Sequence, residues 1–272
     1  MQTEQKLSKE DKGEYKVHKF EEAYGTILVH ELISGNERTR QPVVIVPGWS
    51  EDFLQTKGFA EELVRSGGDT VSSVEFPRVS IEERPDLPEE QIKANLLYKA
   101  LQNLGYRKIN AITHSEGAIS TSLLALQVPE LFQSIIYTGP AGIVGEDNAA
   151  PLAVRFLSYT VERAKQSRES LLSLIRYAIQ DPAQSIREAN EIATFSLKEA
   201  LKQIHTDGIK TFLVHGVDDG VFPMDRVQSQ MLTGLFDGVY SVKGKHALPF
   251  ENYELYLPIF EQIFYKVDKI SS

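Results

Sequence analysis

The chain alternates between short apolar runs rich in β-branched residues and longer stretches whose apolar residues recur at helical spacing. The short runs predict strands, and the middle ones are almost continuously apolar, as is typical of parallel strands covered on both faces. Helical spacing between successive strands predicts an α/β fold with a mostly parallel, twisted sheet flanked by helices. The predicted strands lie at 26–32, 42–48, 70–76, 108–114, 134–140, 210–216 and 238–244, and the first two helices at 52–66 and 89–104.

One interval, 141–205, breaks this alternation. It contains no strand pattern, and its apolar residues recur at helical spacing over four stretches. These helices either pack on the rest of the domain or form a cap over a ligand site at the carboxyl edge of the sheet, and the two interpretations are compatible. The predicted organisation is a flexible tail, a core in two segments and an inserted helical cap: 1–14, then 15–140 with 206–272, and 141–205.

Length, net charge and cysteine content limit the number of domains, the partners and the chemistry that the chain can have. A length of 272 residues with 42% hydrophobic residues suits one domain with an inserted subdomain. The net charge of −9 argues against nucleic acid or an anionic membrane surface as the main partner. The absence of cysteine excludes disulfides and thiolate nucleophiles. The amino-terminal stretch has no signal-peptide pattern and no run is long enough to span a membrane, so a cytoplasmic protein is expected.

A serine stands where a predicted strand meets a predicted helix, in ITHSEGAIS at 112–120. A serine on such a sharp turn points its hydroxyl out of the sheet edge, and small residues such as Gly117 make room for the helix start. Thr113 occupies the place two residues before Ser115 where such turns usually have glycine. Taken alone, Ser115 is therefore either a nucleophile or an ordinary buried hydroxyl.

Two further segments supply the partners that a serine nucleophile needs. His246 lies in the loop after the last predicted strand, where an imidazole can return to the serine. Asp218 and Asp219 follow the strand KTFLVHG, although this DDG sequence is also typical of a simple tight turn. The resulting order, serine then aspartate then histidine, is that of one of the known arrangements of such triads.

These segments together resemble the α/β-hydrolase superfamily, in particular its capped esterase, lipase and peptidase-like branch. The resemblance begins near residue 15 and rests on P-G-W at 47–49, T-H-S-E-G at 113–117, H-G-V-D-D-G-V-F-P at 215–223 and G-K-H at 244–246. It implies Ser115 as nucleophile, His246 as base and Asp219 as acid, with Asp218 as the alternative acid. The backbone N–H groups of Trp49 and Glu116 are expected to form the oxyanion hole.

The sequence departs from the superfamily pattern at two positions. Pro47 stands where histidine is frequent, and Thr113 stands where glycine is usual. The threonine implies either a locally relaxed turn or smaller side chains in a neighbouring segment. Neither departure removes a reacting group.

The expected activity is hydrolysis of a carboxylic ester of a small or medium-sized molecule, without a cofactor or metal. Amide, thioester, lactone or carbon–carbon bond cleavage would use the same groups, and a non-catalytic binding protein is a further alternative. Glu116 either is anchored by a polar neighbour or repels anionic acyl groups. Glu191 with Glu116 is a faint indication of a site for a substrate ammonium group, while His114 and His215 are expected to be structural.

Overall fold

A mixed sheet of nine strands runs through the molecule, in the order β1-β2-β3-β5-β4-β6-β7-β8-β9. The computed structural model describes residues 3–6, 13–35, 40–67, 70–78, 86–144, 151–152, 154–156, 158–159, 175–231, 234–246, 250 and 252–271. Strands β4 to β9 pair in parallel, and the pairs that involve β1, β2 and β3 are antiparallel. The strands are β1 (Thr3–Lys6), β2 (Glu14–Glu22), β3 (Gly25–Ile33), β4 (Val43–Val46), β5 (Thr70–Glu75), β6 (Ile109–His114), β7 (Phe132–Thr138), β8 (Lys210–Gly216) and β9 (Gly238–Val242).

Helices cover both faces of this sheet. The short strand β4 illustrates why, because all four of its side chains are buried. Val44 and Val46 pack on the face that carries α2 and α3, while Val43 and Ile45 pack on the face that carries α1 and α7. The helices are α1 (Phe53–Gly67), α2 (Glu89–Asn103), α3 (Gly117–Gln127), α4 (Pro182–Thr194), α5 (Leu197–Thr206), α6 (Met224–Met231) and α7 (Tyr253–Ser271), with a 3-10 turn at Pro129–Leu131.

The predicted fold class is confirmed: the sheet is mostly parallel, twisted and flanked by helices. Each of the seven predicted strands is present, with ends that differ by no more than about two residues, which is the usual precision of such boundaries. The amino-terminal region differs from the expected flexible tail. Thr3–Lys6 form a strand that pairs with β2, and β2 itself begins at Glu14.

Strand β2 has no sequence signal of the kind that identified the others. None of its side chains is fully buried, because it lies near the edge of the sheet, and charged residues therefore alternate with Val17 and Phe20. Its backbone hydrogen bonds to β3 over nine residue pairs hold it in place. Charged residues are frequent near the edges of sheets, because they protect the edge from pairing with other chains.

The interval 141–205 is helical wherever the structure describes it as regular. Helical residues occur at 151–152, 154–156, 158–159 and 175–180, followed by α4 and α5. The expected helical residues at 160–174 lie outside the described residues. Helix α5 packs against α3 beside the sheet, and α4 contacts α2. No helix within the described ranges is long and apolar enough to cross a membrane.

Candidate active site

Ser115 lies on a strained turn between β6 and α3. Its φ of 49° is in the left-handed region, which costs a non-glycine residue roughly 1–2 kcal/mol. Hydrogen bonds hold both of its backbone groups: its N–H donates to Thr138 O at 3.2 Å, and its carbonyl accepts from Ala141 N–H at 2.9 Å. The side chain is partly exposed at the carboxyl edge of the parallel strands, where the turn directs its hydroxyl.

The glycine that this turn requires is Gly117, whereas position 113 accepts a larger residue. A Cβ atom on Gly117 would lie 2.4 Å from Pro47 O and 2.5 Å from Val46 O. Thr113 lies fully buried in β6, in register with Val46 on one side and Tyr137 on the other. Because Ser115 keeps its left-handed conformation, the threonine has not relaxed the turn.

Replacing Gly117 by alanine should lower the free energy of unfolding by about 3 kcal/mol or more, since two backbone oxygens would have to move. Gly220→Ala is the matched control, because a Cβ there meets no atom within 4 Å and should change the free energy by no more than about 0.5 kcal/mol. Urea unfolding of both variants measures the difference. Equal effects would show that the close approach at Gly117 is not what the turn depends on.

Ser115, His246 and Asp219 form one hydrogen-bonded chain. The Ser115 hydroxyl lies 3.0 Å from His246 Nε2, and His246 Nδ1 lies 2.7 Å from Asp219 Oδ2. A carboxylate can only accept, so Nδ1 carries the proton and Nε2 is free to accept the serine proton. His246 and Asp219 are almost completely buried, at 4% exposure each. The three residues that the sequence proposed therefore meet in the geometry of a serine, base and acid.

The two candidate acids are clearly different in position. Asp219 Oδ1 accepts the backbone N–H groups of Val221 at 2.8 Å and Phe222 at 2.9 Å, which leaves Oδ2 for the histidine. Burial raises the pKa of the Asp219 carboxyl, but His246 outweighs this and holds it below its ordinary value. The neighbouring Asp218 is exposed. The structure thus brings Asp219, and not Asp218, to the imidazole.

A second buried histidine lies directly behind the first. His114 Nε2 lies 2.9 Å from the carbonyl oxygen of His246, so this nitrogen donates, and Nδ1 lies 2.8 Å from Glu51 Oε2. Burial lowers the pKa of His114, but the Glu51 carboxylate outweighs it and the pKa is raised. The same Glu51 oxygen accepts the N–H of Gly48 at 2.6 Å. His114, which the sequence predicts to be structural, therefore joins the loop after β4 to the loop that carries His246, together with Glu51.

His215 supports the acid in a similar way. It is fully buried, and its Nε2 donates to Phe222 O at 2.9 Å. Burial lowers its pKa, so the ring is neutral near pH 7. Because Phe222 also donates its N–H to Asp219, this histidine fixes the turn that holds the acid.

The loop after β4 passes directly beside Ser115. A Cβ on Gly48 would lie 2.9 Å from Ser115 Cβ, so only glycine permits this approach. Trp49 follows Gly48, and Glu116 follows Ser115 at the start of α3. Within the part of the chain that the structure describes, the backbone N–H groups of both residues meet no acceptor. Both groups are therefore available as donors beside the serine hydroxyl.

A buried group of charged side chains, which we call the Lys93 cluster, lies next to Glu116. Lys93 Nζ lies 2.8 Å from Glu90, 2.9 Å from Glu116 and 3.2 Å from Glu188, and Arg78 lies 2.6 Å from Glu188. Three carboxyl groups thus share two cations. Burial and the charge of Glu90 raise the pKa of Glu116 well above its ordinary value, against the opposing effect of Lys93. A proton kept on Glu116 makes the cluster neutral, as burial favours.

The Glu116→Gln variant tests whether the Glu116 carboxyl is protonated in the folded protein. An acid with a raised pKa stabilises the fold below its unfolded-state pKa, and this contribution is lost as pH rises through the folded-state pKa. Glutamine mimics the protonated acid and cannot lose the proton. The variant should therefore gain stability relative to the wild type as pH rises above the ordinary glutamate pKa of about 4.3, measured by urea unfolding at a series of pH values. A difference between the two proteins that stays constant with pH would contradict the assignment.

No protein-family model matches the chain, and no curated protein matches it by sequence. Several solved structures, in contrast, match its fold. A bromoperoxidase from Bacillus anthracis is 14% identical, with 93% of this chain and 99% of that one aligned and a TM-score of 0.69. A structure from work on carboxylesterases of the ammonia-oxidizing thaumarchaeon Nitrososphaera gargenis is 17% identical, over 96% and 98% of the two chains, at a TM-score of 0.65.

A third similar structure is an alpha/beta hydrolase enzyme from a sediment metagenome of the Mar Chica lagoon in Morocco. It is 19% identical, with 92% of this chain and 99% of that chain aligned at a TM-score of 0.60. The chain has the α/β-hydrolase fold. In this fold, ligands bind at the carboxyl ends of the parallel strands, which is the edge where Ser115, Asp219 and His246 meet.

Sequence reasoning missed several residues around the candidate site. Glu51 lies two residues after Trp49 but fits no motif, and Lys93 and Glu188 are charged residues on helical stretches, where exposure is the ordinary expectation. Only their mutual pairing in the folded chain explains their burial. Among the described residues, no group of three or more histidine, aspartate or glutamate side chains is placed to hold a metal ion.

Proposed function

We propose that this chain is a serine hydrolase that cleaves carboxylic esters through an acyl-enzyme intermediate. The observation that carries the proposal is the hydrogen-bonded chain from Ser115 through His246 to Asp219, with distances of 3.0 Å and 2.7 Å. A strained serine whose hydroxyl faces a buried, carboxylate-bound imidazole is the arrangement needed for nucleophilic attack at neutral pH.

In the proposed reaction, the Ser115 oxygen bonds to the acyl carbon while His246 Nε2 takes the serine proton. The carbonyl oxygen becomes an oxyanion that the N–H groups of Trp49 and Glu116 bind, each contributing about 3 kcal/mol to the transition state. Collapse breaks the bond to the alcohol, which leaves with the proton from His246. Water, deprotonated by the same histidine, then attacks the acyl-enzyme, and the acid departs as the serine regains its proton.

We further propose that the described helical residues from 151 to the end of α4 form a cap over this site, and that α5, which the sequence prediction of a cap over 141–205 includes, belongs to the core because it packs on α3. Three aromatic side chains of the interval support this. The Tyr159 ring lies 5.5 Å from the His246 ring, and the rings of Phe156 and Tyr177 lie 5.5 Å and 5.4 Å from Trp49. Aromatic walls of this kind suit an apolar acyl or alkyl group of small or medium size.

A substrate panel tests the bond that is cleaved. Chromogenic esters of increasing acyl length should be hydrolysed with an initial burst of about one alcohol per chain, as expected of an acyl-enzyme. The panel includes an aminoacyl arylamide and a thioester. Preference for either of these would overturn the ester proposal while leaving the mechanism in place, and turnover of none of them would favour a binding protein.

The two acids that hinted at an ammonium site are already engaged. Glu191 accepts the backbone N–H groups of Glu89 at 2.7 Å and Glu90 at 2.9 Å, where it caps the start of α2. Glu116 is paired with Lys93. This occupation supports the ester proposal over a peptidase that would bind a substrate amino terminus.

A further inference from the structure

The side chains of both proposed oxyanion residues reach the Lys93 cluster. Trp49 Nε1 donates to Glu188 Oε2 at 2.7 Å. The Glu116 carboxyl lies 2.9 Å from Lys93 Nζ, which in turn lies 3.2 Å from Glu188. The two backbone N–H donors come from separate segments of the core, but their side chains are thus linked through one lysine and one glutamate.

Glu188 belongs to α4, within the proposed cap, and its position is fixed by several contacts. Its side chain is fully buried, Arg78 lies 2.6 Å from Oε2, and Gln184 donates to Oε1 at 3.1 Å. The Arg78 guanidinium also stacks at 3.9 Å over the ring of Tyr177, another residue of the cap. Burial raises the pKa of Glu188, but Lys93 and Arg78 outweigh it, so this carboxyl stays ionised at neutral pH.

We propose that Glu188 and Lys93 are positioning residues that set the two oxyanion donors, Trp49 through its indole and Glu116 through its carboxyl. This inference rests on the proposed function and names a further part of the same site. An oxyanion donor stabilises the transition state only when its N–H points at the developing charge. Trp49 is half-exposed and directly precedes Ser50, a turn residue whose φ is also positive at 63°, so the hydrogen bond of the Trp49 side chain helps to fix this loop.

The test compares kcat and KM for ester hydrolysis in three variants. Trp49→Phe keeps the backbone N–H and an aromatic ring but loses the indole donor, and Glu188→Gln loses the charge that the indole binds. Each should lower kcat by about tenfold to hundredfold, with KM within about twofold, because the oxyanion forms only in the transition state. Glu191→Gln is the matched control on the same helix: it weakens docking on α2 but contacts neither donor, so kcat should not change.

The double variant Trp49→Phe with Glu188→Gln separates positioning from general loss of structure. If Glu188 acts through Trp49, the double variant loses no more than about threefold beyond the worse single variant, because both changes break the same bond. If the loss of kcat in the double variant equals the product of the two single losses, the two residues act independently, which overturns the proposal. Trp49 is the only tryptophan in the sequence, so its fluorescence in the Glu188→Gln and Glu191→Gln proteins reports whether its surroundings have changed.

The outcomes distinguish this inference from the proposed function. If the wild type hydrolyses esters but Trp49→Phe keeps its kcat, the positioning role is wrong and the hydrolase proposal stands. A uniform fall in kcat that Glu191→Gln shares would also overturn it, since cap docking in general would then be the cause. A folded wild-type chain that hydrolyses no ester overturns both.

Discussion

Ser115→Ala should reduce kcat for ester hydrolysis on the order of 10⁵-fold or more, the largest effect expected of any single substitution here. The serine oxygen forms the covalent bond to the acyl group, and alanine leaves His246 with no proton to accept from this position. Any residual rate would come from water attacking a substrate that the pocket and oxyanion donors still bind. Initial rates with the best ester of the panel, divided by the amount of folded protein, give the measurement.

Ser120→Ala is the matched control for this change. Ser120 lies in the first turn of α3 and is buried, and among the described residues its hydroxyl makes only a 3.4 Å hydrogen bond to Gly117 O. Its removal should leave kcat within about threefold of the wild type, as is usual for a hydroxyl outside the reacting groups. A Ser115→Ala protein that keeps more than a few per cent of the wild-type rate would remove the serine from the mechanism.

Asp219→Asn should reduce kcat by about 10⁴-fold. The carboxylate accepts the proton of His246 Nδ1 at 2.7 Å and stabilises the imidazolium that forms when Nε2 takes the serine proton. An amide nitrogen at the same place would donate to Nδ1 and shift the ring proton to Nε2, so the base could no longer accept. The loss should appear in kcat and in kcat/KM alike, because it acts on the transition state.

Asp218→Asn is the control for the acid, since this neighbour is exposed and its backbone N–H donates to Gly244 O at 3.0 Å. It should keep kcat within about twofold, as exposed substitutions usually do. The opposite pattern, with only Asp218→Asn inactive, would show that the loop carrying Asp218 and Asp219 rearranges in solution.

The core of the fold was predictable because its strands are buried on both faces. Such strands read as continuous apolar runs, as Val43–Val46 does, and their signal needs no tertiary information. Strand β2, next to the edge strand β1, lacks this signal because half-exposed positions accept charged residues. Helix α6, at Met224–Met231, was missed for a related reason, because it is short and polar.

The residues of the candidate site likewise fall into those with a local sequence signal and those without one. Ser115, Asp219 and His246 stand in loops that follow strands, in segments with recognisable local patterns, and the structure brings them together. Position 113 was ambiguous because its environment depends on neighbouring strands, which only the folded chain reveals.

The residues around this site could not be predicted in this way. The Lys93 cluster joins α2, α3 and α4, elements far apart in the sequence, and no spacing rule relates its charges. Burial of these charges is explained only by their pairing, which is a property of the tertiary structure. The same is true of Glu51 and His114, 63 residues apart.

Covalent labelling by a fluorophosphonate tests the central claim, a nucleophilic Ser115, without knowledge of the natural substrate. The reagent phosphonylates a serine only where a base activates the hydroxyl and the oxyanion hole accepts the phosphoryl oxygen. Mass spectrometry of the folded wild type should find one label per chain, on the peptide that contains Ser115, and none in Ser115→Ala. A folded wild type that stays unlabelled, or a Ser115→Ala variant that is labelled equally well, would contradict the account.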